Sequence, residues 1–167
     1  MNSLLTSLPL ILPIAYAWSE KQEAIFLAEG IALNEGQLAD ARKAGVICPE
    51  KIRVLRVESL PQPENEDVKF IARQLGLFSE RASGLAVGYG ICIRHGFWED
   101  RYALVHECVH VGQYEKRKGI RPFLDEYLRE CIEPGYPFGF LEQEAIRMAK
   151  YICKSLEPDS PMKQATL

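Results

Sequence analysis

Hydrophobic and polar positions change their spacing several times along the chain, which predicts a mixture of helices and strands. From Ser19 to Gly45 the apolar side chains recur at helical spacing, and Ser19 begins a capping box. We therefore expect one long helix that ends at Gly45, with Gly30 and Gly36 as the positions where it could break.

Two stretches in the middle of the chain have strand character. Residues 51–60, KIRVLRVESL, alternate basic or polar side chains with apolar ones, which is typical of a strand with one buried face. Residues 84–94, GLAVGYGICIR, predict either one kinked strand or a tight hairpin, because Gly88 and Gly90 permit a bulge or a close backbone approach. Between these stretches, residues 68–77 have helical spacing.

Three further helices are predicted in the carboxyl-terminal part. Asp100 is a suitable N-cap for a helix that continues to about Lys118. A second helix covers residues 122–132, with a proline in its first turn, and a third covers residues 140–156 with an apolar stripe. Together these elements predict an α+β fold made by a single domain, residues 1–167.

Composition supports a globular domain and narrows its partners. The chain has 167 residues, of which 47% are hydrophobic, and a net charge of −3, so it lacks the electrostatic footprint of a nucleic-acid-binding protein. Its five cysteines are odd in number, scattered and free of C-x-x-C pairs, which argues against a disulfide framework and against a thiolate zinc site. We expect reduced, mostly buried thiols in a cytoplasmic protein.

The amino-terminal segment, residues 1–18, complicates the cytoplasmic prediction. An apolar run at residues 4–14, followed by the sequence AYA, is similar to the hydrophobic region and cleavage site of a secretory signal. However, no positive charge precedes the run, and Pro9 and Pro13 interrupt it. The run is also too short to span a bilayer. We favour a segment that docks on the domain, with export through an atypical signal as the alternative.

The candidate chemistry lies in the predicted helix after Asp100, which we expect to be amphipathic. His106 and His110 belong to an H-E-x-x-H sequence, and residues four apart share a helix face, so both imidazoles can meet one zinc ion. Glu107 can reach a water molecule on that metal. Cys108 points about 160° away from the histidines and should face the core. Gln113 shares the face of His106, where it either orients a ligand or only lines a cleft.

A catalytic zinc takes three protein ligands and keeps a fourth position open, so a third ligand is needed. His95 is available, but an acid on a helix packed against the motif helix is the simplest source. On the last predicted helix, Glu142 lies about 65° from the centre of the apolar stripe and Glu144 about 95° away on the other side. Glu142 is therefore the preferred third ligand, although acids are also common at helix starts for electrostatic reasons.

At these residues the chain resembles the gluzincin type of zinc metallopeptidase. The resemblance rests on His106-Glu-Cys-Val-His110, followed after one helix by Glu142-x-x-Ala145. The longer pattern HECVHVGQYE, FLDEY, GYP and LEQEA is also similar to a group of small bacterial proteins classed as candidate metallopeptidases. The closest resemblance covers residues 51–149. It implies a minimal zincin-like fold in which a small twisted sheet packs on the H-E-x-x-H helix, with the glutamate helix alongside.

The resemblance also implies a function. The protein would bind one zinc ion per chain and hydrolyse peptide bonds of a peptide or protein substrate, with Glu107 as general base and residues 84–94 as the strand that pairs with the substrate. Tyr127, Tyr136 and His95 are candidates for stabilising the oxyanion. Two alternatives stay open: a non-catalytic, zinc-stabilised peptide-binding module, and hydrolysis of a non-peptide amide.

Overall fold

The computed structural model describes residues 3–154, and within this range the chain forms an α+β fold with six α-helices and one mixed sheet. The α-helices are α1 (Ser3–Glu29), α2 (Glu35–Lys43), α3 (Glu66–Gln74), α4 (Arg101–Lys116), α5 (Ile120–Glu130) and α6 (Phe140–Lys154). The strands are β1 (Ile31–Ala32), β2 (Arg53–Val57), β3 (Gly84–Val87) and β4 (Gly90–Arg94). The predicted α+β class is therefore confirmed.

The sheet has the strand order β1-β2-β4-β3 and leaves β3 at one edge. Strands β2 and β4 are parallel, and α3 lies in the crossover between them. Strands β3 and β4 form the hairpin that was one of the two structures predicted for residues 84–94. The two-residue turn between them requires a left-handed backbone at Gly88, whose φ is +58°. The hairpin lies directly before α4 and positions β3 next to it.

Helix α1 differs from the prediction at both ends. It begins at Ser3 and includes Pro9 and Pro13, so Ser19 is a buried residue inside a helix rather than the cap of a new one. It ends at Glu29, and the next residue must be a glycine, since a Cβ at position 30 would lie 2.5 Å from the Phe26 carbonyl oxygen. The predicted single helix to Gly45 is wrong. No helix among residues 3–154 is long and apolar enough to cross a membrane.

Helix α2 begins after Asn34, where a complete capping box replaces the one expected at Ser19. The Asn34 side chain accepts a hydrogen bond from the Gln37 backbone N–H, and the Gln37 side chain accepts one from the Asn34 N–H. Both residues follow the break at Gly30, so this box can begin a helix.

The main core lies between the sheet, α4 and α6. Helix α4 has its predicted N-cap, since the Asp100 side chain accepts from the backbone N–H groups of Tyr102 and Ala103. It is buried on most sides rather than amphipathic, because β3, α2, α5 and α6 all pack against it. Helix α6 begins at Phe140 as predicted and is described to Lys154; the last two predicted positions lie outside the described residues. This packing brings the first turn of α6 beside the motif in α4.

Candidate metal centre

Helices α4 and α6 bring three potential metal ligands together. His106 and His110 lie one helical turn apart on α4, and Glu142 lies in the first turn of α6. The Nε2 atoms of the two histidines are 3.2 Å apart. Glu142 Oε1 lies 3.2 Å from His106 Nε2, and Glu142 Oε2 lies 3.3 Å from His110 Nε2. Among residues 3–154, these three side chains form a group that could hold a metal ion.

The spacing of these donor atoms fits a metal. Tetrahedral coordination with bonds of about 2.0–2.1 Å places neighbouring ligand atoms about 3.3–3.4 Å apart. The separation of the two Nε2 atoms, 3.2 Å, is close to that edge length, and each Nε2 has one of the two Glu142 oxygens at 3.2 or 3.3 Å. Two imidazoles and one carboxylate are also donors that divalent transition metals accept. The donor set therefore suits a single ion with room for a further ligand.

The electrostatics of the triad depend on mutual contacts within a buried site. Burial raises the pKa of Glu142, but its hydrogen bonds to His106 and His110 outweigh burial and leave the pKa well below the usual range. Burial lowers the pKa of His110, while the bond to Glu142 raises it, and the net direction is upward. The Glu142 carboxylate and the His110 imidazole thus each favour the charged form of the other.

Glu107 lies between the triad and the edge strand. Its side chain is buried, and a Cβ on Gly84 of β3 would lie 3.0 Å from Glu107 Cγ. The backbone N–H of Ala86 donates to its carboxylate. Burial raises the pKa of Glu107, and the nearby His106 and His110 oppose part of that rise. The carboxylate is therefore next to the donor group without being one of its members.

Gln113 connects the motif helix to the glutamate helix. Its Oε1 lies 2.8 Å from His110 Nδ1, and its Nε2 donates to the Leu141 carbonyl at 2.9 Å and to Glu144 Oε2 at 2.8 Å. Because Nε2 faces two acceptors, Oε1 must accept the proton of His110 Nδ1. The His110 Nε2 lone pair is then free for a metal. The sequence left open whether Gln113 orients a metal ligand or only lines a cleft. In the structure it contacts His110, a candidate ligand.

The two glutamates of α6 have different surroundings. Glu142 is buried beside both histidines, whereas Glu144 accepts the hydrogen bond from Gln113 and is only partly buried. Cys108 is 1% exposed and belongs to the main core, on the side of α4 predicted from the helix angle.

The three residues considered for stabilising the oxyanion have different positions relative to the candidate metal site. The Tyr127 hydroxyl donates to Glu142 Oε2 at 3.1 Å, and its ring packs against His110 with centroids 5.7 Å apart. Tyr136 lines the same cavity as the triad. His95 is instead exposed near Glu58, 3.9 Å away, and does not belong to the metal-binding group. Burial raises the pKa of Tyr127 well above its ordinary value, so the hydroxyl keeps its proton.

The triad opens into an apolar cavity of about 140 Å³. Its floor is formed by His106, Glu107, His110 and Glu142, and its walls come from α1, α3, β3 and α5. The contributions of α1 and α3 were not predicted from sequence. Their apolar stripes indicate burial, but the stripes do not reveal that the buried surface faces the candidate site.

No family model matches the chain, and neither a curated protein nor a solved structure matches it. The function of the protein must therefore be inferred from the geometry of this site and from the sequence pattern that it contains.

Proposed function

We propose that this protein is a zinc-dependent metallopeptidase of the gluzincin type. The observation that carries the proposal is the group of His106, His110 and Glu142, with donor atoms 3.2 to 3.3 Å apart, and the buried Glu107 beside it. Three ligands with an adjacent carboxylate are what a catalytic zinc site requires.

In this proposal His106, His110 and Glu142 would hold the zinc ion, and a zinc ion held there would supply Lewis acidity toward a water molecule and the substrate carbonyl. Glu107 takes the proton of the attacking water and later delivers it to the leaving amine. Gln113 holds the His110 ring in the tautomer that leaves Nε2 available. Tyr127 keeps its proton but donates it to Glu142, so its hydroxyl would have to turn from Glu142 to donate to negative charge on the carbonyl oxygen.

The edge strand β3 offers a binding surface for an extended peptide. Val87 pairs with Gly90 across the two-residue turn, and the Arg94 N–H donates to the Ser83 carbonyl. The backbone N–H and C=O groups of the odd-numbered residues in this strand are therefore the ones that bond to β4. The N–H and C=O groups of Gly84 and Ala86 consequently point away from β4. Since the Ala86 N–H donates to Glu107, this outer side faces the candidate site, and a pairing peptide would have to displace that contact or use the neighbouring groups of the strand. Strand addition there would bring a peptide bond next to the metal.

The decisive experiment compares the wild-type protein with Glu107→Gln after zinc reconstitution. We expect both to bind about one zinc ion per chain, because Glu107 is not a ligand. A peptide library should be cleaved by the wild-type protein, and the variant should lose about 10²–10⁴-fold in turnover. Equal turnover by both proteins would contradict the proposal. Zinc binding with no cleavage of any peptide would favour the non-catalytic, zinc-stabilised module.

A further inference from the structure

The amino-terminal half of α1 forms one wall of the cavity that contains the candidate metal site. Ile11, Ala15 and Trp18 line this cavity together with His106 and Glu107. The Trp18 ring also contacts Phe78 edge-on, with centroids 5.6 Å apart, above the side of the cavity formed by β3. Residues 4–18 therefore cover the space that a substrate of the site must occupy.

Side-chain packing is the main contact that holds residues 4–18 in this position. Leu8 and Ile11 are 2% and 7% exposed and pack in a cluster with side chains of α3 and of the turn after α5. No residue from 4 to 18 is charged, so none can form an ion pair. A polar contact is present at the surface, where the Tyr16 hydroxyl donates to Asp125.

The backbone of this half is weakened by two prolines. Pro13 has no N–H to donate to the Pro9 carbonyl, and Pro9 cannot donate to the Leu5 carbonyl. Both rings are exposed, so they add little packing in return. The helical form of residues 4–18 therefore depends on its contacts with the domain more than an ordinary helix does.

The second half of α1 is attached differently. Glu23 accepts the backbone N–H of Tyr89 in the β3–β4 turn at 2.9 Å. Phe26 is 1% exposed and packs so closely on β4 that a Cβ on Gly90 would lie 2.7 Å from its Cβ. Residues 19–29 are thus part of the core, and the change in attachment follows the two prolines, which both lie in the first half of the helix.

The volume of this partly open cavity is the decisive quantity. An engineered protein cavity of about 150 Å³ holds one benzene molecule. The cavity here, at about 140 Å³, can accept one apolar group of that size but not several residues of an extended peptide. For the peptide to reach Glu107 and the edge of β3, the wall formed by residues 4–18 must move.

We propose that residues 4–18 form a lid that closes the metal site and must swing away before a peptide binds, while residues 19–29 remain on the sheet. The proposal rests on the metal site of the proposed function. Small metal ligands should reach the site without this movement, because the His106 side chain is 14% exposed in the closed form. The lid thus controls access for large apolar ligands rather than for the metal.

The test uses the full-length, zinc-loaded protein and two metal-binding probes: acetohydroxamate and a hydroxamate that carries a benzyl group. Stopped-flow measurement gives the association rate of each. Ile11→Ala removes packing from the inner face of the lid, and Pro13→Ala restores a helical hydrogen bond on its outer face. Leu10→Ala is the matched control, because Leu10 is 77% exposed on the same helix.

We expect Ile11→Ala to accelerate association of the benzyl probe about tenfold or more, since loss of buried methylene groups destabilises the closed state. Pro13→Ala should slow the same step, and Leu10→Ala should not change it. None of the variants should alter association of acetohydroxamate. If Ile11→Ala does not fold, the slowing by Pro13→Ala still decides the matter.

Identical benzyl-probe rates in wild type, Ile11→Ala and Pro13→Ala would overturn the lid while leaving a zinc peptidase intact. The lid can also be supported while the peptidase activity fails. Rates that change as expected in a protein that cleaves no peptide would support the lid and count against the proposed activity.

Discussion

Replacement of Gln113 separates the two tasks that this side chain performs. Gln113→Leu has similar size but removes the acceptor for His110 Nδ1 and the donor for the Leu141 carbonyl. Gln113→Glu keeps an acceptor for His110 and removes only the donors. Because Gln113 is 1% exposed, water cannot easily replace the lost partners. Both variants should therefore destabilise the fold, but only Gln113→Leu should weaken zinc binding.

The expected magnitudes follow from the three hydrogen bonds, at 2.8, 2.9 and 2.8 Å. A buried polar group left without its partner costs about 1–3 kcal/mol. Gln113→Leu leaves two such groups, His110 Nδ1 and the Leu141 carbonyl, whereas Glu144 is partly exposed and can turn to water. We therefore expect a loss of about 2–6 kcal/mol in the free energy of unfolding. Loss of the contact that orients a ligand should weaken zinc binding about 10–100-fold. Gln113→Glu should also destabilise the fold, because its carboxylate faces Glu144, yet bind zinc as tightly as the wild type.

Zinc affinity is measured by competition with a chromophoric chelator, and stability by denaturant unfolding of the zinc-free protein. Glu144→Gln serves as the control, since its amide oxygen can still accept from Gln113. The reasoning is refuted by Gln113→Leu with wild-type zinc affinity. A Gln113→Glu variant that loses as much affinity as Gln113→Leu would also refute it, because the acceptor for His110 would then be irrelevant.

Two further predictions concern the metal itself. Glu142→Gln should weaken zinc binding more than about 100-fold, because loss of a residue that only supports a ligand weakens binding by up to about that factor. Glu144→Gln should bind zinc nearly as tightly as the wild type. The reverse order in the same chelator competition would transfer the ligand role to Glu144. Removal of zinc should lower the melting temperature, because zinc at 100 times its dissociation constant adds about 2.7 kcal/mol to stability. Calorimetry with and without a chelator measures this, and unchanged melting would contradict a folded-state zinc site.

Local signals account for the parts of the fold that the sequence predicted well. The Asp100 cap, the glycine turn of the hairpin and the stripe of α6 each depend on residues that are near one another in the chain. Helix α1 could not be predicted in the same way. Ser19 has the chemistry of a cap, but the preceding apolar residues gain more by continuing the helix against α3 and α5. Tertiary packing thus overrides both the cap and the prolines.

The candidate site also combines features set by local sequence with features set by the packing of distant segments. The spacing of His106 and His110 and the stripe angle of Glu142 are properties of single helices, so they could be derived from sequence. The contacts of Gln113 with Leu141 and of Tyr127 with Glu142 require the relative positions of different helices. No pattern within one helix contains that information, and the wall formed by α1 is a contact over a still longer separation.

The position of Glu107 favours catalysis over a purely structural metal. A structural zinc site is normally closed by four protein ligands, whereas the group formed by the described residues has three. A staple between α4 and α6 would gain nothing from a buried carboxylate beside it, and burial makes that charge costly. Yet Glu107 lies against Gly84 and receives the Ala86 N–H, at the free edge of β3 where a peptide would pair. In the proposed peptidase, a buried carboxylate between the candidate metal site and the outer edge of β3 would serve proton transfer to a leaving amine.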